Sequence, residues 1–101
     1  MQVSVTTGSG GATVRIEGRF DFNAHREFRE AIDRVLADQA AREITIDLGG
    51  VDYLDSSALG MLLMTRDKAN HAGRQITLAN CRGTVGQIIE IANFGKLFKI
   101  V

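Results

Sequence analysis

Residues 43–63, EITIDLGGVDYLDSSALGMLL, contain the change of sequence period that defines the fold. Residues 43–48 alternate between apolar and polar side chains, which is typical of a strand with one buried face. Residues 49–55 break the alternation and are predicted to form a loop. A helix is predicted over residues 56–71, and Gly73 can end it in a left-handed conformation. The stretch therefore predicts a strand, a loop and a helix in succession.

The rest of the chain follows the same two periods. These predict a glycine-turned β-hairpin at 2–17, a helix at 23–36, a strand at 75–79, a short helix at 84–91 and an apolar tail at 97–101. Asn23 is a suitable N-cap for the first of these helices. Strands that alternate with helices favour right-handed crossovers and parallel pairing. The expected fold is α/β, with a four-stranded mixed sheet in which the opening hairpin precedes a parallel βαβαβ unit.

All four predicted strands alternate, whereas strands buried on both faces are apolar throughout. The second face of the sheet is expected to carry polar side chains from every strand: Ser4, Arg15, Thr45, Asp47 and Thr77. Helices are therefore expected mainly on one face.

Composition limits the classes of function. The 101 residues, expected to form a single domain over 1–101, carry a formal net charge of zero, which disfavours nucleic acid and anionic membrane surfaces as partners. The single Cys81 forms no CxxC or Cys/His cluster for a metal and is expected to be a partly buried structural thiol. No apolar run approaches the roughly 20 residues of a membrane span, and no leader is recognisable, so the cytoplasm is expected. No cofactor is predicted.

The helix at 56–71 has apolar residues on two sides. One arc is expected to pack on the sheet and contains Ala58, Leu59, Leu62, Leu63 and Ala69. The opposite arc contains Ser57, Met61, Met64 and Lys68, all expected to face solvent. Methionine is common at surfaces that bind partners, so this arc predicts a docking surface. The alternative interpretation is that isolated exposed methionines have no function.

Ser57 is the residue of this arc with reactive chemistry. Asp55 or Ser56 can cap the helix, which leaves the Ser57 hydroxyl without a structural role, and Gly60 leaves it sterically open. A phosphate there would carry about −1.5 to −2 charges and be favoured by the helix dipole, so the helix should persist. Asp52, Asp55 and Asp21 are acidic neighbours in this interpretation, and no local arginine cluster could fold over the phosphate, so the added charge is expected to repel a bound partner.

Three stretches, GRFDFNAHREFREAI at 18–32, ITIDLGGVDYLDSSALGMLL at 44–63 and ITLANCRGTVGQIIEIANFGKLFKI at 76–100, resemble the STAS domain of bacterial anti-sigma factor antagonists. Residues 55–60, DSSALG, match the family's phosphorylation motif in register. Residues 18–21, GRFD, resemble its Gly-x-Leu-Asp element, with phenylalanine in place of the commoner leucine. The resemblance covers nearly the whole chain and implies a STAS-like fold.

The resemblance also implies a function and a set of partners. Ser57 would be phosphorylated by an anti-sigma factor that has serine kinase activity, and a serine phosphatase would reverse the modification. The unmodified chain would bind the anti-sigma factor and free a sigma factor. The partner-binding residues expected from the motif and the docking arc together are Asp21, Asp55, Ser56, Ser57, Gly60, Met61, Met64 and Lys68.

Two alternatives remain at the level of sequence. A serine hydrolase would need a base near Ser57, but His71 lies about 21 Å further along the same helix and His25 has no evident orienting acid. Asp52 and Asp55 are better explained as loop and cap residues than as a catalytic pair, so no enzyme is expected. The other alternative is a STAS subunit of a stress-signalling or lipid-transport assembly, bound through the same helix without phosphorylation.

Overall fold

The computed structural model describes residues 1–101 as five strands and three α-helices. The strands are β1 (Gln2–Gly8), β2 (Gly11–Phe20), β3 (Glu43–Leu54), β4 (Gln75–Ala79) and β5 (Lys99–Ile100). The helices are α1 (His25–Ala37), α2 (Ser56–His71) and α3 (Gly83–Ile91), with short 3-10 turns at Phe22–Ala24 and Phe94–Lys96. None of the helices has the length and apolar character needed to cross a lipid bilayer.

The strands form one mixed sheet in the order β1-β2-β3-β4-β5. β1 is antiparallel to β2, and every later strand is parallel to its predecessor. Because each parallel strand lies beside the previous one on the same side, right-handed crossovers bring all three helices to one face of the sheet. The mixed α/β architecture with helices on one face is the predicted one.

The sheet has one strand more than the four predicted. β5 lies inside the apolar tail and pairs with Thr77 and Leu78 of β4. A strand of two residues shows no alternation in the sequence, so periodicity could not reveal it.

β2 and β3 both extend beyond their predicted ends at residues 17 and 48. The predicted loop at 49–55 is therefore wrong, because β3 continues to Leu54. Two register shifts between β2 and β3 interrupt the alternation there. Two glycines permit them: Gly18 has a φ of +92°, and a Cβ on Gly50 would lie 2.7 Å from the Glu17 side chain.

The core is one cluster of apolar side chains between the sheet and the helices. Alternate residues of β2 and β3, among them Val14, Ile16 and Ile46, are fully buried. Phe28 of α1 packs its ring 5.0 Å from that of Phe20, centroid to centroid. The sheet-facing side of the helices therefore supplies the other half of the core.

The first helix begins differently from the prediction. Asp21, not Asn23, acts as the cap, and its Oδ1 accepts a hydrogen bond of 3.0 Å from the backbone N–H of Asn23. The capped element is the 3-10 turn, and α1 follows it at His25. The sequence signal for a cap was real, but it belonged to the residue two positions earlier.

Candidate functional site

The N-terminus of α2 places Ser57 in the first helical turn. Asp55 is the N-cap, because its Oδ1 accepts a hydrogen bond of 2.9 Å from the backbone N–H of Ala58. This decides between the two predicted caps, Asp55 and Ser56. Ser56 is exposed and Ser57 is half-buried. Ser57 is therefore partly exposed, and it does not serve as the cap.

Asp21 lies at the same end of the sheet as Asp55. β2 and β3 are parallel, so their C-terminal ends meet, and the backbone N–H of Asp55 donates to the carbonyl oxygen of Phe20 at 3.3 Å. The Asp21 carboxylate is held by the N–H of Asn23 and by Arg19, whose Nε lies 3.5 Å from Oδ2. The fold thus brings together two aspartates that are 34 residues apart in the chain.

The predicted docking arc of α2 is only partly at the surface. Met64 is 55% exposed, Gly60 is exposed with nothing within 4 Å of an added Cβ, and Lys68 is half-buried. Met61 is 6% exposed, so the prediction that it faces solvent is wrong. The α2 surface, as we call it from here on, consists of Ser56, Ser57, Gly60, Met64 and Lys68.

α1 explains why Met61 is buried. Phe28 and Ile32 of α1 line a cleft with Met61 and Met64 of α2, so α1 covers the side of α2 that was expected to be free. Lys68 also reaches toward α1, and its Nζ lies 3.5 Å from Oδ1 of Asp33. The cleft measures about 20 Å³, far below the several hundred Å³ of a small-molecule site.

Thr65 accompanies Met61 on the covered side, and Leu59 and Leu63 are less buried than expected. Thr65 is 4% exposed, and its hydroxyl donates to the carbonyl oxygen of Met61 at 2.8 Å. Leu59 and Leu63 are only partly buried. The buried arc of α2 is therefore rotated toward α1 relative to the predicted arc.

Two exposed aromatic residues at this end of the sheet were not predicted. Phe22 follows Asp21 and is 72% exposed, and Tyr53 near the end of β3 is 42% exposed. The Arg19 guanidinium carbon lies 4.2 Å from the centroid of the Tyr53 ring, in a cation–π contact. Tyr53 was assigned to the predicted loop and Phe22 to no element, so the only sequence signal for them was their position near Asp55 and Asp21.

The family model for the STAS domain matches residues 2–101. The chain belongs to the STAS domain family. It is 52% identical over 88 residues to a STAS-domain containing protein of Pseudomonas aeruginosa, with 87% of this chain and 85% of the relative covered. It is 23% identical over 100 residues to an anti-sigma-B factor antagonist of Staphylococcus aureus, with 99% of this chain and 92% of that protein covered.

Solved STAS structures share the architecture. The anti-sigma factor antagonist SpoIIAA, in its unphosphorylated form, superposes with a TM-score of 0.75 at 18% identity, covering 99% of this chain and 87% of the other. The phosphorylated form of SpoIIAA from Bacillus gives the same TM-score at 17% identity, covering 99% and 91%. The fold predicted from the resemblance is therefore the fold that the chain adopts.

Two titratable groups of this STAS domain have shifted pKa values: Asp47, in the middle of β3, and Cys81, which follows β4. Burial raises the pKa of Asp47, but hydrogen bonds from Asn80 and the Gly49 N–H, together with the Arg15 guanidinium, outweigh it and hold the pKa below its ordinary value. Burial raises the pKa of the Cys81 thiol, and the nearby Asp47 carboxylate raises it further. Cys81 is partly buried, as expected, and its burial disfavours the thiolate.

Proposed function

We propose that this STAS domain is an anti-sigma factor antagonist, a cytoplasmic protein-binding switch controlled by phosphorylation of Ser57. Unphosphorylated, it binds an anti-sigma factor that has serine kinase activity, and so frees a sigma factor; a serine phosphatase restores the binding form. The observation that carries the proposal is the placement of Ser57, half-buried in the first turn of α2 beside a cap that Asp55 already supplies. The similarity to the anti-sigma-B factor antagonist of S. aureus and to the anti-sigma factor antagonist SpoIIAA supports it.

The binding surface proposed for the unmodified chain combines the α2 surface with Asp21 and Asp55. Met64 supplies exposed apolar area two helical turns from the Ser57 hydroxyl, and Gly60, between them, allows close approach because no side chain stands above it. Phe22 extends the apolar area at the same end of the sheet. Apolar anchors with polar surroundings are the usual composition of a protein–protein interface.

A phosphate on Ser57 would act on the complex and leave the fold intact. Free backbone N–H groups and the positive end of the helix dipole favour an anion in the first turn of α2. Asp55 keeps its cap bond to Ala58, so the helix start does not depend on the hydroxyl. The nearby Arg19 contacts Asp21 and Tyr53, and its side chain is 65% exposed. We expect the added charge to stay at the surface and meet the partner.

Substitution at Ser57 tests the switch. Ser57→Ala is expected to keep its affinity for the anti-sigma factor recovered by co-purification, and Ser57→Asp is expected to lose roughly 30-fold or more, since a charge would be desolvated without a partner. Isothermal titration measures both. Ser9→Asp is the charge-matched control, because exposed Ser9 lies in the hairpin turn at the opposite end of β2. Equal affinities of the two Ser57 variants would contradict the proposal.

A kinase assay separates this function from the alternative. The co-purified partner and ATP are incubated with the chain, and phosphate on Ser57 is measured by mass spectrometry, with Ser57→Ala as the control. The switch requires modification that disappears in the variant. A partner that binds stably while Ser57 stays unmodified would instead identify a constitutive subunit of a stress-signalling or lipid-transport assembly.

A further inference from the structure

The two edges of the sheet differ in how they are protected. β5 is two residues long and contains Lys99, and short charged edges resist pairing with other strands. β1, QVSVTTG, is seven residues long and contains no charged residue and no proline. It pairs with β2 in one continuous register without a bulge. β1 therefore lacks the short length, the charge, the proline and the bulge by which many edge strands avoid pairing.

β1 is also complementary to itself. Antiparallel pairing with β1 of a second copy, centred on Ser4, places Val3 opposite Val5, Gln2 opposite Thr6, and Ser4 opposite its own equivalent. The two-fold axis runs perpendicular to the sheet, so the valines of both copies stay on the helix-covered face. Val3 and Val5 are only half-buried in the single chain, and the pairing would cover them further.

The charge distribution permits this contact. The formal net charge of the chain is zero with a pI of about 6.7, so two copies do not repel each other at neutral pH. α1, which contacts β1, carries three basic and three acidic residues: Arg26, Glu27, Arg29, Glu30, Asp33 and Arg34. An uncharged edge gives a strand of another protein no charge to recognise, whereas a second β1 matches it side chain by side chain.

We propose that β1 is a self-association edge, through which two copies of this chain join their sheets into one. The proposal is independent of the function assigned to Ser57. α2 lies on the crossover between β3 and β4, beyond β2 from this edge. Both α2 surfaces of the dimer consequently remain free for partners.

Sedimentation velocity over chain concentrations from about 10 μM to about 1 mM tests the proposal. The variant is Ser4→Glu. Ser4 is exposed and opposite Arg15 of β2, so a glutamate gains an opposite charge within the chain and the fold is kept. In the dimer the same substitution sets two carboxylates against each other at the axis. Gln87→Glu, on the exposed side of α3, makes the same change in net charge and is the control.

The unmodified chain and Gln87→Glu are expected to dimerise with rising concentration, and Ser4→Glu is expected to dimerise at least about tenfold more weakly with an unchanged thermal midpoint. Amide hydrogen exchange on the unmodified chain is the second measurement, with β1 amides gaining protection as concentration rises. A chain that stays monomeric throughout overturns the proposal, as does a Ser4→Glu variant that associates equally well. Protection of β1 only after a different protein is added would also overturn it.

Discussion

Met61 and Met64 are three residues apart on α2 and lie in different environments. Met61 is 6% exposed beneath α1, whereas Met64 is 55% exposed on the α2 surface. The angular separation of the two along the helix is about 60°, which is enough to move one of them under Phe28 and Ile32. The same residue type therefore supports the core at one position and offers a contact at the other.

Lysine substitution at each methionine distinguishes these roles. Met61→Lys is expected to lower the free energy of unfolding by about 2–5 kcal/mol, because it removes buried apolar contacts and brings a charge toward the core. Met64→Lys is expected to change it by less than about 0.5 kcal/mol, as surface substitutions do, while weakening the anti-sigma factor complex. Urea denaturation and partner titration measure the two effects. Equal losses of stability would show that the orientation of α2 is incorrect.

At the scale of elements, the end of α1 depends on a side chain from another part of the chain. Arg74, between α2 and β4, donates from Nη2 to the carbonyl oxygen of Leu36 at 3.0 Å and from Nη1 to that of Ala41 at 3.0 Å. Nη1 also lies 3.4 Å from the carbonyl oxygen of Val35. The guanidinium thus supplies donors to the last turn of α1 and joins it to Ala41 in the connection that follows.

Removing this guanidinium is expected to loosen α1 from its C-terminal end. Arg74→Ala should cost about 1–3 kcal/mol of unfolding free energy, because part-buried carbonyl groups lose their donors. Arg74→Lys keeps the charge but lacks the forked donors, so we expect most of the loss to remain. Chemical denaturation gives the energies, and hydrogen exchange at the last turn of α1 locates the effect. Full stability in Arg74→Lys would mean that the charge alone is sufficient.

The elements that the sequence predicted well are those with a regular period. α2 and β4 have their predicted bounds because local periodicity and capping determine them. The extension of β3 was missed because the register shifts between β2 and β3, close to Gly18 and Gly50, remove the alternation that identifies a strand.

The residues of the candidate site were likewise predictable only where their signal is local in the sequence. Asp55 and Ser57 were found because helix capping is local in sequence. Phe22 and Tyr53 were not found, because strand pairing brings them to this end of the sheet. The burial of Met61 was missed because it depends on α1, and a helical projection of α2 does not include α1.

At the scale of the whole molecule, one carboxylate near the centre of the helix-free face connects neighbouring strands of the sheet. Asp47 of β3 receives a hydrogen bond of 2.9 Å from Nη1 of Arg15 on β2, and one of 3.0 Å from Nδ2 of Asn80, which follows β4. The backbone N–H of Gly49 adds a third donor at 2.9 Å. Three adjacent strands are thereby connected on the side that no helix covers.

This carboxylate is expected to make stability depend on pH. The pKa of Asp47 is lowered in the folded chain, so its contribution is complete above its ordinary pKa near 3.8 and is lost as the pH falls below that value. Asp47→Asn should be less stable than the unmodified chain at pH 7, and the difference should shrink in acid. Thermal midpoints across this range measure it, with exposed Glu90→Gln as the control. A difference that stays constant below pH 3.8 would contradict this role.

The order of strands in the sheet has a consequence for biosynthesis. Strand order in space is the same as strand order along the polypeptide, so each new strand pairs with the one made just before it. A nascent chain leaving the ribosome can assemble the sheet outward from the hairpin, with no strand inserting between two already in place. The last strand of this order is only two residues long, so it adds few pairings to those already formed.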